Sequence, residues 1–153
     1  MELKIVNRWD KKVIIEGDFE DVKSLIAANR NADLSDADLR GLSIVPQGTF
    51  KAYKKASGKV VELIIPANAK RTSSLVGSKC RCEFAYVKRI LDVYGSDSGS
   101  DSGLGQVHGD YGRKTIYELG KKVTPDKYDD DIRVECTHGI HFFITFEEAA
   151  NYN

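Results

Sequence analysis

The sequence predicts an α+β protein, with an N-terminal β-hairpin and helix, a short connector, and a mostly antiparallel β domain carrying a C-terminal helix. Three observations predict this. Apolar residues alternate with polar ones, or run together over strand length, in Leu3–Val6, Val13–Glu16, Phe50–Lys55, Lys59–Ile65 and Ile140–Ile144. Phe19, Val22, Leu25 and Ile26 recur at the three-to-four spacing of one helical face. Thr145 and Glu148 have capping-box spacing, in which the Thr hydroxyl takes one orphan backbone N–H and the Glu reaches back for another.

In chain order, Leu3–Val6, the turn Asn7–Lys12 and Val13–Glu16 form the hairpin, and Asp18 is placed to cap a helix from Phe19 to about Asn29. Trp9, in the turn, is expected to fold over the helix's apolar face. Ala32-Asp33-Leu34-Ser35-Asp36 and Ala37-Asp38-Leu39-Arg40-Gly41 repeat at a period of five, which makes residues 1–46 a ββα unit ending in two repeats. Residues 47–153 form the β-rich domain. Its first hairpin turns at Ala56-Ser57-Gly58, and the second strand is apolar enough to be central before Pro66 stops it. Lys70–Ser74 and Gly77–Lys79 read as a polar, basic loop. Cys80 to Tyr94 holds one or two strands, and Thr115–Leu119 another. Between them lies a Ser/Asp/Gly loop, 95–112, whose first half has no apolar side chain and which is expected to be mobile. Ile140–Ile144, with apolar residues of both parities, is expected to be a central strand, followed by a helix that turns Phe146 and Ala150 to the sheet.

A chain of 153 residues can bury a core without staples, and its three cysteines are a poor disulfide framework, so reduced thiols are expected. No apolar run approaches the ~20 residues of a membrane span and the N-terminus lacks a signal-peptide pattern, which points to a cytoplasmic protein without membrane contact. The net charge is zero but unevenly spread: residues 1–50 carry 7 basic and 9 acidic side chains, 51–89 carry 10 and 2, and 90–153 carry 6 and 12. Either these segments mix in space, or the middle one presents an anion-binding face. The overall balance argues against duplex DNA as a partner.

The block from Phe50 to Tyr152 resembles a domain of unknown function found at the C-terminus of bacteriophage pentapeptide-repeat proteins. The resemblance is carried by Ile65-Pro66-Ala67-Asn68-Ala69-Lys70-Arg71, Lys79-Cys80-Arg81, Glu83-Phe84-Ala85, Val123-Thr124-Pro125-Asp126, and Glu135-Cys136 with Gly139-Ile140-His141-Phe142-Phe143. The hairpin, helix and Ala-Asp-Leu repeats fit the same family, so the likeness covers nearly the whole chain. It implies a phage or prophage origin and expression in the bacterial host cytoplasm. Two repeats make about half a solenoid coil, too little for a DNA-mimicking solenoid.

Three site readings follow. Lys70, Arg71, Ser73, Lys79 and Arg81 combine cations and a hydroxyl as an anion site requires, with His141 and Tyr152 added to it; the alternative is a solvated loop. Cys80, Cys82, Cys136 and His138 make a C-x-C plus C-x-H pattern, a weaker zinc spacing than C-x2-C, so no metal is favoured. Gly139–Phe143 with Ala149-Ala150-Asn151-Tyr152 is similar to the ADP-ribosyltransferase segment whose strand aromatic and helix line a nicotinamide pocket. Here His141 stands at the aromatic position, and no downstream strand with a catalytic Glu follows before Asn153; as a core residue His141 would instead be a buried, hydrogen-bonded histidine. Walker, Ser-His-Asp, H-E-x-x-H and G-x-G-x-x-G patterns are absent from the sequence.

The expectation is therefore a phage-encoded, non-enzymatic accessory protein that needs no cofactor and acts in counter-defence. It would sequester an anionic nucleotide-like ligand, as a symmetric homo-oligomer with pockets at its interfaces, or inhibit a host defence protein, for which a monomer suffices. Alternatives are an ADP-ribosyltransferase-like or other NAD-related enzyme, and a virion structural or assembly module.

Overall fold

A computed structural model describes residues 1–7, 9–20, 22–34, 37, 45–74, 77–97, 105–110 and 114–152. Most of the two five-residue repeats, and residues 98–104 and 111–112 of the Ser/Asp/Gly loop, lie outside the described residues. The chain divides into two compact units, residues 1–43 and 44–153.

In the first unit β1 (Glu2–Val6) and β2 (Val13–Asp18) pair antiparallel, with Ile5 opposite Ile15 and both buried. Helix α1 (Val22–Ala28) is shorter than its apolar spacing suggested, and Leu25 is its fully buried contact. Asp18 ends β2 and binds the N-terminal ammonium at 2.5 Å rather than capping α1. Trp9 is 77% exposed, so it does not cover the helix.

The second unit is built from hairpins. β3 (Phe50–Ala56) and β4 (Lys59–Ile65) join through Ser57 and Gly58, both at positive φ (50° and 71°), the two-residue geometry whose twist matches that of the strands. β5 (Arg71–Ser73) pairs with β6 (Cys80–Cys82), so the expected basic loop is in fact a hairpin. β7 (Ala85–Leu91), β8 (Gln106–His108), β9 (Ile116–Glu118), β10 (Lys122–Val123), β11 (Ile140–Phe142) and helix α2 (Phe146–Ala150) follow. The sheets run β10-β7-β4-β3, β11-β6-β5 and β8-β9, and all their pairings are antiparallel.

The α+β expectation is thus corrected. Among the described residues eleven strands accompany two helices of seven and five residues, and the protein is β-rich and mostly antiparallel. An α+β fold needs a helical layer across a sheet face. The apolar content here lies in strands instead, and five residues of α2 cover only part of one face.

Most strands of the second unit feed one core, including Val61, Leu63, Ile65, Cys80, Cys82, Val87, Ile90, Tyr117, Ile140 and Phe142. β4 lies between β7 and β3 and is central, as its apolar run implied. A bulge places Lys88 as an extra residue on β7, because Arg89 pairs with Glu62 while Val87 pairs with Leu63. Val87 and Ile90 therefore face the same core despite being three apart, which explains the broken alternation. On the opposite face Val60, Leu91 and Phe143 pack with α2 through Ala149, Phe146 and Ala150. The capping box is formed: Thr145 Oγ1 accepts from the Glu148 N–H, and Glu148 Oε2 accepts from the Thr145 N–H. β11 is an edge of its sheet rather than a central strand, yet Phe143 exchanges both backbone hydrogen bonds with Tyr53 of β3, so this segment stitches two sheets together. Among the described residues no helix is long and apolar enough to cross a membrane.

Candidate anion-binding site

The stitch between β11 and β3 creates a cavity. β3 is an edge strand whose outer side, among the described residues, pairs at Tyr53 alone, and the next two residues, Lys54 and Lys55, are left beside β11. There Lys54, Lys55, Lys79, His141 and Tyr152 line a pocket of about 170 Å³, together with Phe143, Tyr117, Gly139, Gly109, Thr115 and Asp110. Three ammonium groups face one carboxylate, a surplus of two positive charges. Asp110 is already engaged, its Oδ1 accepting from the Ser57 N–H at 2.7 Å.

Each cation is held differently. Lys55 Nζ donates to the Tyr152 carbonyl at 2.6 Å. Lys79 Nζ donates to Tyr152 Oη at 3.1 Å and to Cys136 Sγ at 3.5 Å, and lies 5.2 Å from the centre of the Tyr152 ring. Burial lowers the basicity of Lys79, but its contacts with Tyr152 and Cys136 more than offset this and leave its pKa raised. Lys54 has neither support: its Nζ sits 5.8 Å from the centre of the Tyr117 ring, and burial followed by repulsion from Lys79 brings its pKa down to about 8.

His141 is the one imidazole of the site. Burial, then the charges of Lys79, Lys54 and Arg81, push its pKa down to about 4, so it is neutral at physiological pH. Its Nε2 is buried with no hydrogen-bond partner among the described residues. A neutral ring surrounded by cations, and lacking a partner, is poised to gain from negative charge in the cavity. Phe143 and Tyr152, with ring centres 5.1 Å apart, and the buried Tyr117 supply flat apolar walls.

Of the seven anion-site residues expected from sequence, Lys79, His141 and Tyr152 meet here. The other four are placed elsewhere. Arg71 donates to the carbonyls of Gly48 and Pro66 at 2.9 and 3.0 Å and stacks over Phe50. Arg81 is 1% exposed and donates to the carbonyls of Asp129, Asp131 and Val134 at 2.6, 2.5 and 2.7 Å. Ser73 is buried on β5, and Lys70 is exposed outside the pocket. Lys54, Lys55, Asp110 and Tyr117 were not singled out by sequence. The available signal was a Lys-Lys pair at the end of a strand in the basic middle segment.

The sulfur ligands stay apart. Cys80 and Cys82 are buried in the core and burial pushes the Cys82 thiol up to about 12, whereas Cys136 is exposed and His138 pairs with Asp126 at 3.1 Å. Among the described residues no three His, Cys, Asp or Glu side chains gather as a metal site.

Residues 41–149 match the model of DUF5758, described as a family of unknown function. No curated protein and no solved structure matches the chain.

Proposed function

The chain belongs to the DUF5758 family, and we propose that it is a non-enzymatic binding protein for a small phosphate-bearing, nucleotide-like ligand held at the pocket between β3 and β11. The observation that carries this reading is the convergence on one cavity of about 170 Å³ of Lys54, Lys55 and Lys79 with His141, whose buried Nε2 has no hydrogen-bond partner among the described residues. Ligand pockets for whole drug-sized molecules run from about 300 Å³ upward. The cavity therefore suits a phosphate group and its immediate attachment, with the remainder of the ligand leaving through the opening. Lysines can hold phosphate as point charges, and Tyr152 and Phe143 offer ring faces to a base or sugar.

The arrangement also has a cost. Lys54 is held in a setting that disfavours its charge, and a group that lowers stability without a structural partner is expected at a functional position. The resemblance to bacteriophage pentapeptide-repeat proteins supports a phage-encoded accessory role in the host cytoplasm, in which sequestering such a ligand would serve counter-defence.

The test is calorimetric titration with sulfate and with ATP, ADP-ribose and inorganic pyrophosphate. Lys55→Glu with Lys79→Glu should weaken binding at least tenfold, while Lys70→Glu should leave it within twofold. Equal losses from both changes, or no binding of any anion by the parent chain, would refute the assignment.

A further inference from the structure

Lys54 differs chemically from the other two lysines of the pocket. Lys55 and Lys79 are fixed by hydrogen bonds to Tyr152 and can serve as anchors for negative charge. The Lys54 side chain has no hydrogen-bond or ion-pair partner among the described residues, and its amine lies in the cavity over the Tyr117 ring. Resting on the anion-pocket reading, we propose that Lys54 is a nucleophilic amine that captures the carbonyl group of a phosphorylated aldehyde or ketone as a Schiff base, while Lys55 and Lys79 hold the phosphate.

The geometry supports a division of labour. An amine crowded by a second cation in a partly apolar site is the recognised setting of an activated lysine. The neighbouring anchors supply what a small electrophile needs to dwell there, a charged grip and a flat wall. In the reaction the Lys54 nitrogen lone pair adds to the carbonyl carbon to give a carbinolamine. A proton passes from that nitrogen to the former carbonyl oxygen, and the resulting hydroxyl takes up a second proton from solvent and departs as water as the C=N bond forms, which leaves a protonated Schiff base. No electron is gained or lost overall, and the adduct reverses by hydrolysis.

With a pKa of about 8, Lys54 has about two hundred times more free amine at pH 7.5 than an ordinary solvated lysine. The lower nucleophilicity of a weaker base reduces that advantage to roughly tenfold.

The experiment uses the full chain, pyridoxal 5′-phosphate as the probe, borohydride reduction, and peptide mass mapping at pH 7.5. The expected result is reduced adduct on Lys54 at about ten times the level on Lys51 or Lys70, suppressed by excess sulfate and absent from Lys54→Arg, while Lys51→Arg leaves the Lys54 adduct within about twofold of the parent. Adduct spread evenly over surface lysines, with sulfate binding intact, would overturn the Schiff-base proposal and leave the anion pocket standing. Absence of sulfate binding by calorimetry would remove both, as would labelling of Lys54 that sulfate does not suppress.

Discussion

Lys54 shows how one residue can trade stability for chemistry. Its amine is charged in the unfolded chain up to about pH 10.5 but in the native pocket only up to about pH 8. Below pH 8 both states are charged and the native state bears the whole cost of burial and of repulsion from Lys79. Between pH 8 and 10.5 the unfolded chain binds more protons, so this contribution to stability improves as pH rises, and above that window the cost is gone. Lys54→Met keeps the chain length without the charge. It should raise stability at pH 7 by on the order of 2 kcal/mol, after discounting for partial solvent screening, and the gain should vanish near pH 11. Urea denaturation at the two pH values checks this; no gain at pH 7 would mean that the amine is solvated. The low pKa of His141 has the same origin, and neither is visible in the sequence, because each depends first on burial and then on cations that only the folded chain brings near.

At the scale of elements, Gly139 lets β11 begin where it does. Its φ is +147°, and a Cβ there would lie 3.0 Å from Cβ of Arg81, the buried residue paired with His141 across the β6–β11 ladder. Gly139→Ala should therefore cost on the order of 2 kcal/mol through backbone strain and displacement of Arg81, and should weaken sulfate binding by moving His141. Unchanged urea midpoint and affinity would show that the strand start tolerates a side chain. Turn and cap chemistry was legible from sequence at this scale: the Ser57-Gly58 turn and the Thr145–Glu148 box are set by residues within four positions of one another. The α1 cap was not legible. Asp18 is an acceptable cap by type, but the ladder to β1 and the N-terminal ammonium claim it instead.

For the molecule as a whole, the segment from Asp126 to His138 illustrates what replaces regular structure. It contains no strand or helix, and Arg81 supplies three of its carbonyls with donors from inside the fold. Arg81→Met should leave those acceptors without a partner, destabilise the protein by at least about 3 kcal/mol and speed amide exchange in residues 126–138 before other regions. Exchange that rises uniformly would show that the segment is not held locally. Sequence alone determined the local alphabet of this protein: where strands alternate, where two-residue turns fall, where a helix is capped, and that positive charge gathers in the middle of the chain. Those features depend on neighbours in sequence, and the chain writes them directly. The tertiary structure decided that the fold is β-rich, since a helical period over a few residues does not say how much sheet it will cover. It also decided which cations are structural. Arg71 and Arg81 meet backbone carbonyls, while Lys54, Lys55 and Lys79 meet a cavity, and that difference arises only when residues 54, 79, 141 and 152 are folded together.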